Sequence, residues 1–163
     1  MLIGDPYKLS IFIEVIQGWN LDKTSFRNGI LLFCVDGQLF PKEVVTATLN
    51  SEVPPLEEAL KNVSVNKTLY NMGKREAFRE MYKITFLNDE NNYQYYLSST
   101  SLSDMDCYIF SVSNGKQIRI LASKLNYIVE KGIHDLSEMI ISEAFITYEE
   151  LNNMITKLNS VLN

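Results

Sequence analysis

The sequence has few of the residues from which catalytic and metal sites are built. It contains two cysteines, Cys34 and Cys107, in unrelated settings, and one histidine, His134. A structural zinc site takes about four ligands of these types, so the count falls short of one. We expect both cysteines to be buried free thiols, because a free cysteine packs as a small apolar residue, although a single disulfide between them stays open.

Glycine is also scarce, with seven residues that mostly stand alone in turns. The chain has no G-x-x-x-x-G-K-[ST], no G-x-G-x-x-G after a strand, no H-E-x-x-H and no G-x-S-x-G. A nucleophile would have to be Cys34 or Cys107 acting with His134, and the apolar surroundings of both cysteines favour core packing. His134 is followed by Asp135, and we interpret this pair as part of a solvated loop rather than as a proton relay.

Long apolar runs are absent. None approaches the roughly 20 residues of a membrane helix, and residues 1–7 lack the basic start of a secretion signal. We therefore expect a cytoplasmic protein without a membrane partner. The net charge of −5 argues against a nucleic-acid partner, since phosphate binding needs clustered Lys and Arg. An acidic surface suits a basic protein partner, or it simply aids solubility.

What the chain does contain is typical of one globular domain spanning residues 1–163. Its composition is 46% hydrophobic and 21% charged, and no linker or repeat divides it. Alternating and short apolar runs predict an α+β fold, with a mostly antiparallel sheet of about six strands and helices packed on it. The sequence leaves the oligomeric state open, and a monomer is the simplest expectation. Strands are expected in these segments: 9–17, 30–35, 84–87, 93–98, 107–112, 117–122 and between 139 and 146.

Two turn motifs set the expected hairpins. Asp36-Gly37 is a favoured two-residue turn, and folding there places Cys34 opposite Leu39. Asn114-Gly115 is the second, and it is expected to place Ile109 opposite Ile120 on a core-facing side. The other side of this hairpin, with Arg119 among aromatic residues, is expected to be mixed in polarity.

Helices are expected in three places. Pro54 and Pro55 suit the first turn of one helix, and a second covers residues 74–82, just after Gly73. Thr147 and Glu150 have the spacing of a capping box and mark the start of a C-terminal helix. Its apolar face is Leu151, Met154, Ile155, Leu158 and Leu162.

The candidate binding residues lie in two acidic loops and one aromatic loop. Asp89 and Glu90 would join Asp104 and Asp106 in an acidic patch if the loops meet at one end of the sheet. Trp19 is a candidate interface anchor, because Trp often carries binding energy. Two solvated turns and a tryptophan that covers one end of the core explain the same residues.

Several turn and packing motifs follow one another along the chain. They comprise Gly4-Asp5-Pro6-Tyr7-Lys8, Phe12-Ile13, Trp19-Asn20, Phe26-x-Asn28-Gly29-Ile30-Leu31-Leu32-Phe33, Phe40-Pro41-Lys42-Glu43, Thr48-Leu49-Asn50, Val112-Ser113-Asn114-Gly115 and Arg119-Ile120-Leu121. Together these motifs resemble the immunity protein 42 family of bacterial polymorphic toxin systems. The resemblance covers most of the chain and is least clear between residues 52 and 72.

The resemblance implies a cytosolic antidote that binds the C-terminal domain of a cognate toxin, as in contact-dependent inhibition, and blocks its active site. Many such toxins are nucleases, which would suit an acidic inhibitor. The resemblance implies no catalytic residue, cofactor or metal, and no site residue can be carried over from these motifs.

Two other functions remain open from the residues themselves. Asp104 and Asp106, or His134, could serve a small hydrolytic or metal-dependent enzyme, although no further acidic residue has distinctive spacing to them. A small-molecule-binding module is the other, with an aromatic face formed by Tyr93, Tyr95, Tyr96 and Tyr108.

Overall fold

A computed structural model of the protein describes residues 1–21 and 26–161. In these residues a group of strands is followed by a group of helices, a second group of strands and a last helix. A short 3₁₀ helix spans Gln17–Trp19. The elements are β1 (Leu2–Gly4), β2 (Leu9–Val15), β3 (Asn28–Val35), β4 (Gln38–Phe40), β5 (Ala47–Thr48), α1 (Leu49–Lys61), α2 (Lys67–Asn71), α3 (Lys74–Phe86), α4 (Thr100–Ser103), β6 (Cys107–Ser113), β7 (Gln117–Lys124), β8 (Asn126–Ile128), β9 (Ile133–Asp135), β10 (Ser142–Thr147) and α5 (Tyr148–Leu158).

The first sheet is antiparallel, in the order β1-β2-β3-β4, and β5 pairs with the start of β3. Its β3–β4 hairpin turns at Asp36-Gly37, where both residues have positive φ, as a two-residue turn of this type requires. Cys34 pairs with Leu39, as predicted. Strand β4 ends at Phe40, directly before Pro41, which has no N–H for the ladder.

The second sheet has the order β10-β7-β6 and contains the Asn114-Gly115 hairpin. Ile109 pairs with Ala122 and not with Ile120, so the predicted register was wrong by two residues. The side chain of Asn114 accepts hydrogen bonds from the backbone N–H groups of Lys116 and Gln117, at 2.9 and 2.8 Å. These bonds make Asn114 the first residue of the hairpin loop. A shift of two residues keeps every side chain on its predicted face.

Two cores lie on opposite faces of this second sheet. One face packs against the first sheet, α1 and α5, with Ile109 and Ile120 among its buried residues. The other face packs against α3, and Phe78 of the helix meets Phe110 of the sheet edge to face at 5.1 Å. Burial on both faces explains why β6 and β7 are apolar nearly throughout. The side of the hairpin that carries Arg119, which was expected to be mixed in polarity, is buried as well. β8 and β9 form a separate two-stranded ribbon.

Helix α1 begins five residues earlier than the prolines indicated. Pro54 and Pro55 lie inside the helix on its exposed side, so their assignment to the first turn was wrong. The helix is nevertheless held on one face, because Leu49, Val53, Leu56 and Leu60 are buried at helical spacing. Burial of that stripe compensates for the two backbone hydrogen bonds that proline cannot donate.

The strand predicted at residues 84–87 was also wrong. Helix α3 continues to Phe86, and Thr85 is buried on it with its hydroxyl donating to the Met81 carbonyl at 2.8 Å. The strand predicted at 93–98 is reduced to one bridge, in which Tyr96 pairs with Phe110.

Helix α5 starts as predicted. Thr147 Oγ1 accepts from the Glu150 N–H at 3.1 Å, and the Glu150 carboxylate accepts from the Thr147 N–H at 2.8 Å. Leu151, Met154 and Leu158 are buried, while Leu162 lies outside the described residues. The α+β class with mostly antiparallel strands and a C-terminal helix is confirmed. Its strands divide into two sheets and a ribbon. No helix within 1–21 and 26–161 is long and apolar enough to cross a membrane.

Candidate functional site

A groove of about 620 Å³ lies between α1 and the segment that connects α3 to β6. We call it the α1 groove. One wall comes from the exposed side of α1, including Glu52, Pro55 and Glu58, and the other from residues 93–103. Both walls are anchored in the first core, because Leu56 and Leu60 of α1 and Leu97 and Leu102 of the opposite wall are buried there. The groove is therefore part of the rigid fold.

Three aromatic rings form one end of the α1 groove. Phe86 lies edge to face with Tyr96 at 5.2 Å and with Tyr93 at 6.2 Å, and the two tyrosine rings are 6.0 Å apart. Tyr93 is 54% exposed. Burial raises the pKa of Tyr96, so its phenol stays protonated at neutral pH.

Glu52 joins the two walls. Its carboxylate accepts from the Ser101 hydroxyl at 2.6 Å and from the Ser101 N–H at 3.2 Å, at the start of α4. Its other oxygen accepts from the Thr48 N–H at 3.3 Å, at the start of α1. Glu52 therefore holds the groove walls together, whereas Glu58 accepts a surface hydrogen bond from Asn62 and is exposed to solvent.

Three of the four predicted acidic residues flank this groove along the chain. Asp89 and Glu90 are exposed and lie between two of its lining residues, Phe86 and Tyr93. Asp104 is exposed and directly follows another, Ser103.

Asp106, the fourth, is turned towards the ribbon. It has a φ of 57°, and its carboxylate is 2.8 Å from His134 Nε2. The Nδ1 atom of His134 is in turn 2.8 Å from the Tyr82 hydroxyl. The His134 side chain is only 12% exposed and packs against the rings of Tyr82, Tyr108 and Tyr127. The solvated-loop interpretation of His134 was therefore wrong.

This Asp106–His134–Tyr82 chain has the connectivity of a proton relay, but its terminal hydroxyl is a poor nucleophile. Burial raises the pKa of Tyr82 to about 12. Neither Tyr82 nor His134 lines the α1 groove. These three hydrogen-bonded side chains instead link α3, the loop before β6 and the β8–β9 ribbon to one another.

The two cysteines are buried free thiols, as predicted. Burial raises the pKa of Cys107 to about 11 and also raises that of Cys34, so both thiols stay protonated at neutral pH. Among the described residues, no three His, Cys, Asp or Glu side chains are placed to hold a metal ion together.

Trp19 ends the 3₁₀ helix and is 42% exposed. Its carbonyl accepts from the Asn28 side chain at 3.2 Å, which ties this turn to the start of β3. Trp19 is not among the residues that line the α1 groove, so the structure does not bring it together with the acidic loops.

Comparison with known proteins identifies the family. The sequence model of the family described as Immunity protein 42 matches residues 1–161. The chain belongs to this family.

The fold of this Immunity protein 42 member is similar to one solved structure, the crystal structure of CdiI from Burkholderia dolosa AUO158. The TM-score is 0.77 at 20% sequence identity, and the match covers 98% of this chain and 99% of that one. At this identity the likeness shows the shared fold alone. No curated protein matches the sequence.

The sequence prediction missed the groove and the role of Glu52 and Glu58 in it. The amino-acid sequence of this Immunity protein 42 member nevertheless contains a charge pattern that marks the groove. Residues 43–60 and 84–115 contain no lysine or arginine, and together they carry eight of the 20 acidic residues. Nearly all residues that line the α1 groove come from these two segments.

Proposed function

We propose that this protein is a cytosolic antidote that binds the C-terminal domain of one cognate toxin of a contact-dependent inhibition system. It neutralises that toxin by covering the toxin's active site or its path to substrate. The observation that carries this proposal is the match to the Immunity protein 42 family over residues 1–161. The fold shared with CdiI from Burkholderia dolosa supports it.

The charge of the chain supports a basic toxin. The protein carries a net charge of −5, and the two segments that line the α1 groove carry eight acidic residues and no lysine or arginine. A toxin that acts on nucleic acid needs clustered lysine and arginine to bind phosphate. An acidic inhibitor competes for that same cluster and is drawn to it over a long range, which speeds association. We therefore propose a nuclease as the target.

We also propose that the protein has no catalytic role. The buried thiols are protonated at neutral pH, and the Tyr82 hydroxyl has a raised pKa and is hydrogen-bonded to His134 Nδ1. A binding function needs none of these groups to react, and it uses the rigid surface that they help to pack.

Co-expression tests the proposal directly. The C-terminal domain of the large protein encoded immediately upstream is expressed with and without this chain. We expect the domain alone to arrest growth and the pair to grow normally, with a dissociation constant of about 1 nM or below, as for tight inhibitory complexes. Growth arrest in both cultures, with no binding between the purified proteins, would rule out this pairing of toxin and antidote.

A further inference from the structure

The α1 groove combines ring surfaces with negative charge. Tyr93 and Tyr96 line one end, and Glu58 lies on the α1 wall. Within the described residues, no lysine or arginine lines the groove. An arginine or lysine from outside would meet aromatic rings and carboxylates together, which is the environment that favours such a cation.

The charge around the groove is strongly asymmetric. Residues 43–60 and 84–115 carry eight acidic and no basic residues, whereas the rest of the chain carries twelve acidic residues and all 15 lysines and arginines. These two segments are thus negative, and the rest of the chain is slightly positive. A partner selected by charge is therefore steered to this side.

Most of these carboxylates are not neutralised by the protein itself. Glu57 forms an ion pair with Lys61, and the Asp106 carboxylate lies 2.8 Å from His134 Nε2. Within residues 1–21 and 26–161, Glu58, Asp89, Glu90 and Asp104 form no ion pair. These four are exposed, so a positively charged partner can reach them without disrupting the fold.

We propose that the α1 groove is the surface that binds the toxin, and that its occupant is a basic segment of the toxin. A lysine or arginine of that segment lies over the Tyr93 and Tyr96 rings, while neighbouring basic residues pair with Glu58 and Asp104. Tyrosine is among the residue types that contribute most binding energy in protein interfaces, and charged residues are common at interface rims. This inference rests on the proposed function.

A second surface provides the comparison. Leu2, Phe12, Leu32 and Leu39 share the outer face of the first sheet, beside a pocket that also contains the buried Ser10 hydroxyl. Ser10 Oγ has no hydrogen-bond partner among the described residues. Nothing about this apolar face favours a basic partner, and we use it as a control.

The test compares purified variants in binding to the toxin domain encoded upstream. The groove is altered by the double change Glu58→Lys with Asp104→Lys, and separately by Tyr93→Ala. The double change Glu130→Lys with Glu138→Lys alters two exposed acids elsewhere by the same charge. Tyr7→Ala removes an 81% exposed tyrosine outside the groove, and Leu39→Lys alters the outer sheet face. Tyr93→Phe keeps the ring and removes only the hydroxyl.

We expect the groove charge reversal to weaken binding at least about 100-fold, largely through slower association, and Tyr93→Ala to weaken it about 10-fold or more. The Glu130/Glu138, Tyr7, Leu39 and Tyr93→Phe variants should stay within about 3-fold of wild type, since exposed positions outside an interface contribute little. Unchanged melting temperatures would show that each variant is folded.

Two results would overturn the groove proposal while leaving the antidote function intact. One is wild-type binding and rescue with groove variants that bind equally well. The other is loss of binding in Leu39→Lys alone. If the wild type neither binds nor rescues growth, the proposed function itself falls, and the groove proposal falls with it.

Discussion

Arg119 and Glu143 form an ion pair across β7 and β10, with Nη2 at 2.5 Å and Nε at 2.7 Å from the same carboxylate oxygen. The Arg119 side chain is only 6% exposed. Its Nη1 atom donates to the carbonyls of Tyr70 and Met72, at 2.9 and 2.7 Å, at the end of α2. One guanidinium thus neutralises a partly buried acid and satisfies carbonyls that a helix end leaves unpaired.

Replacing Arg119 with Met should therefore lower the free energy of unfolding by about 3–5 kcal/mol, because a buried pair is broken and its partners lose their donors. Urea denaturation at neutral pH measures the change. Arg75→Met, at an exposed position of α3, is the control and should stay within about 0.5 kcal/mol of wild type. Equal stability of the two variants would contradict the role given to Arg119.

Local signals predicted the parts of this fold that local chemistry determines. Asp36-Gly37 set its hairpin because both residues adopt positive φ, and Thr147 with Glu150 marked the start of α5 through a self-contained pair of hydrogen bonds. The sequence also predicted the Asn114-Gly115 hairpin. It did not predict the register, because the register depends on the hydrogen bonds by which the Asn114 side chain closes the loop.

Other features depended on contacts between residues far apart in sequence. The apolar run at 84–87 suits a strand as well as a helix, and its packing on the second sheet selected the helix. The helical stripe that begins at Leu49 outweighed Pro54 and Pro55. His134 is buried by ring contacts with residues up to 52 positions away, which no local pattern indicates. The α1 groove likewise forms only when two distant segments meet.

Thr147→Ala should cost about 1 kcal/mol, because the mutant loses the side-chain acceptor for the Glu150 N–H. For a protein of this size the melting temperature should fall by roughly 2–4 °C. Thr156→Ala is the matched control, since Thr156 is exposed within α5 and its hydroxyl donates to the Asn152 carbonyl of the same helix. That control should melt at or above the wild-type temperature. Identical melts for Thr147→Ala and wild type would remove the capping box from the account.

Glu150 should make the free energy of unfolding depend on pH in the acidic range. A hydrogen bond from Lys8 is the main cause that lowers the pKa of Glu150, and the Thr147 N–H lowers it further. A carboxyl group whose pKa is lower in the folded state stabilises that state above its unfolded pKa, about 4.3 for Glu. The contribution is lost as the pH falls through the folded value.

Comparing Glu150→Gln with wild type isolates this effect. The wild type should be more stable than the variant at about pH 7, and the difference should shrink as the pH is lowered towards about 3 and the carboxylate takes up a proton. Urea midpoints at both pH values measure it. A difference that is equal at both would show that the charge of Glu150 contributes nothing.

Tyr82→Phe should cost about 1 kcal/mol, since it removes the hydroxyl from His134 Nδ1 while the ring packing stays. The hydrogen-bonded side chains of Tyr82, His134 and Asp106 have a structural role in this account. Toxin affinity should therefore change less than about 3-fold, as expected for a residue outside the interface. Tyr7→Phe, at an exposed position, is the control for stability. A large loss of toxin neutralisation with unchanged stability would instead give this chain a functional role.

Hydrogen–deuterium exchange of the protein alone and in complex with its toxin domain tests the central claim most directly. We predict slower exchange in residues 49–62 and 93–104, which form the walls of the α1 groove. Exchange in β1 and β2 of the first sheet should be unchanged. Protection confined to β1, β2 and β4, with the groove walls unaffected, would contradict the account.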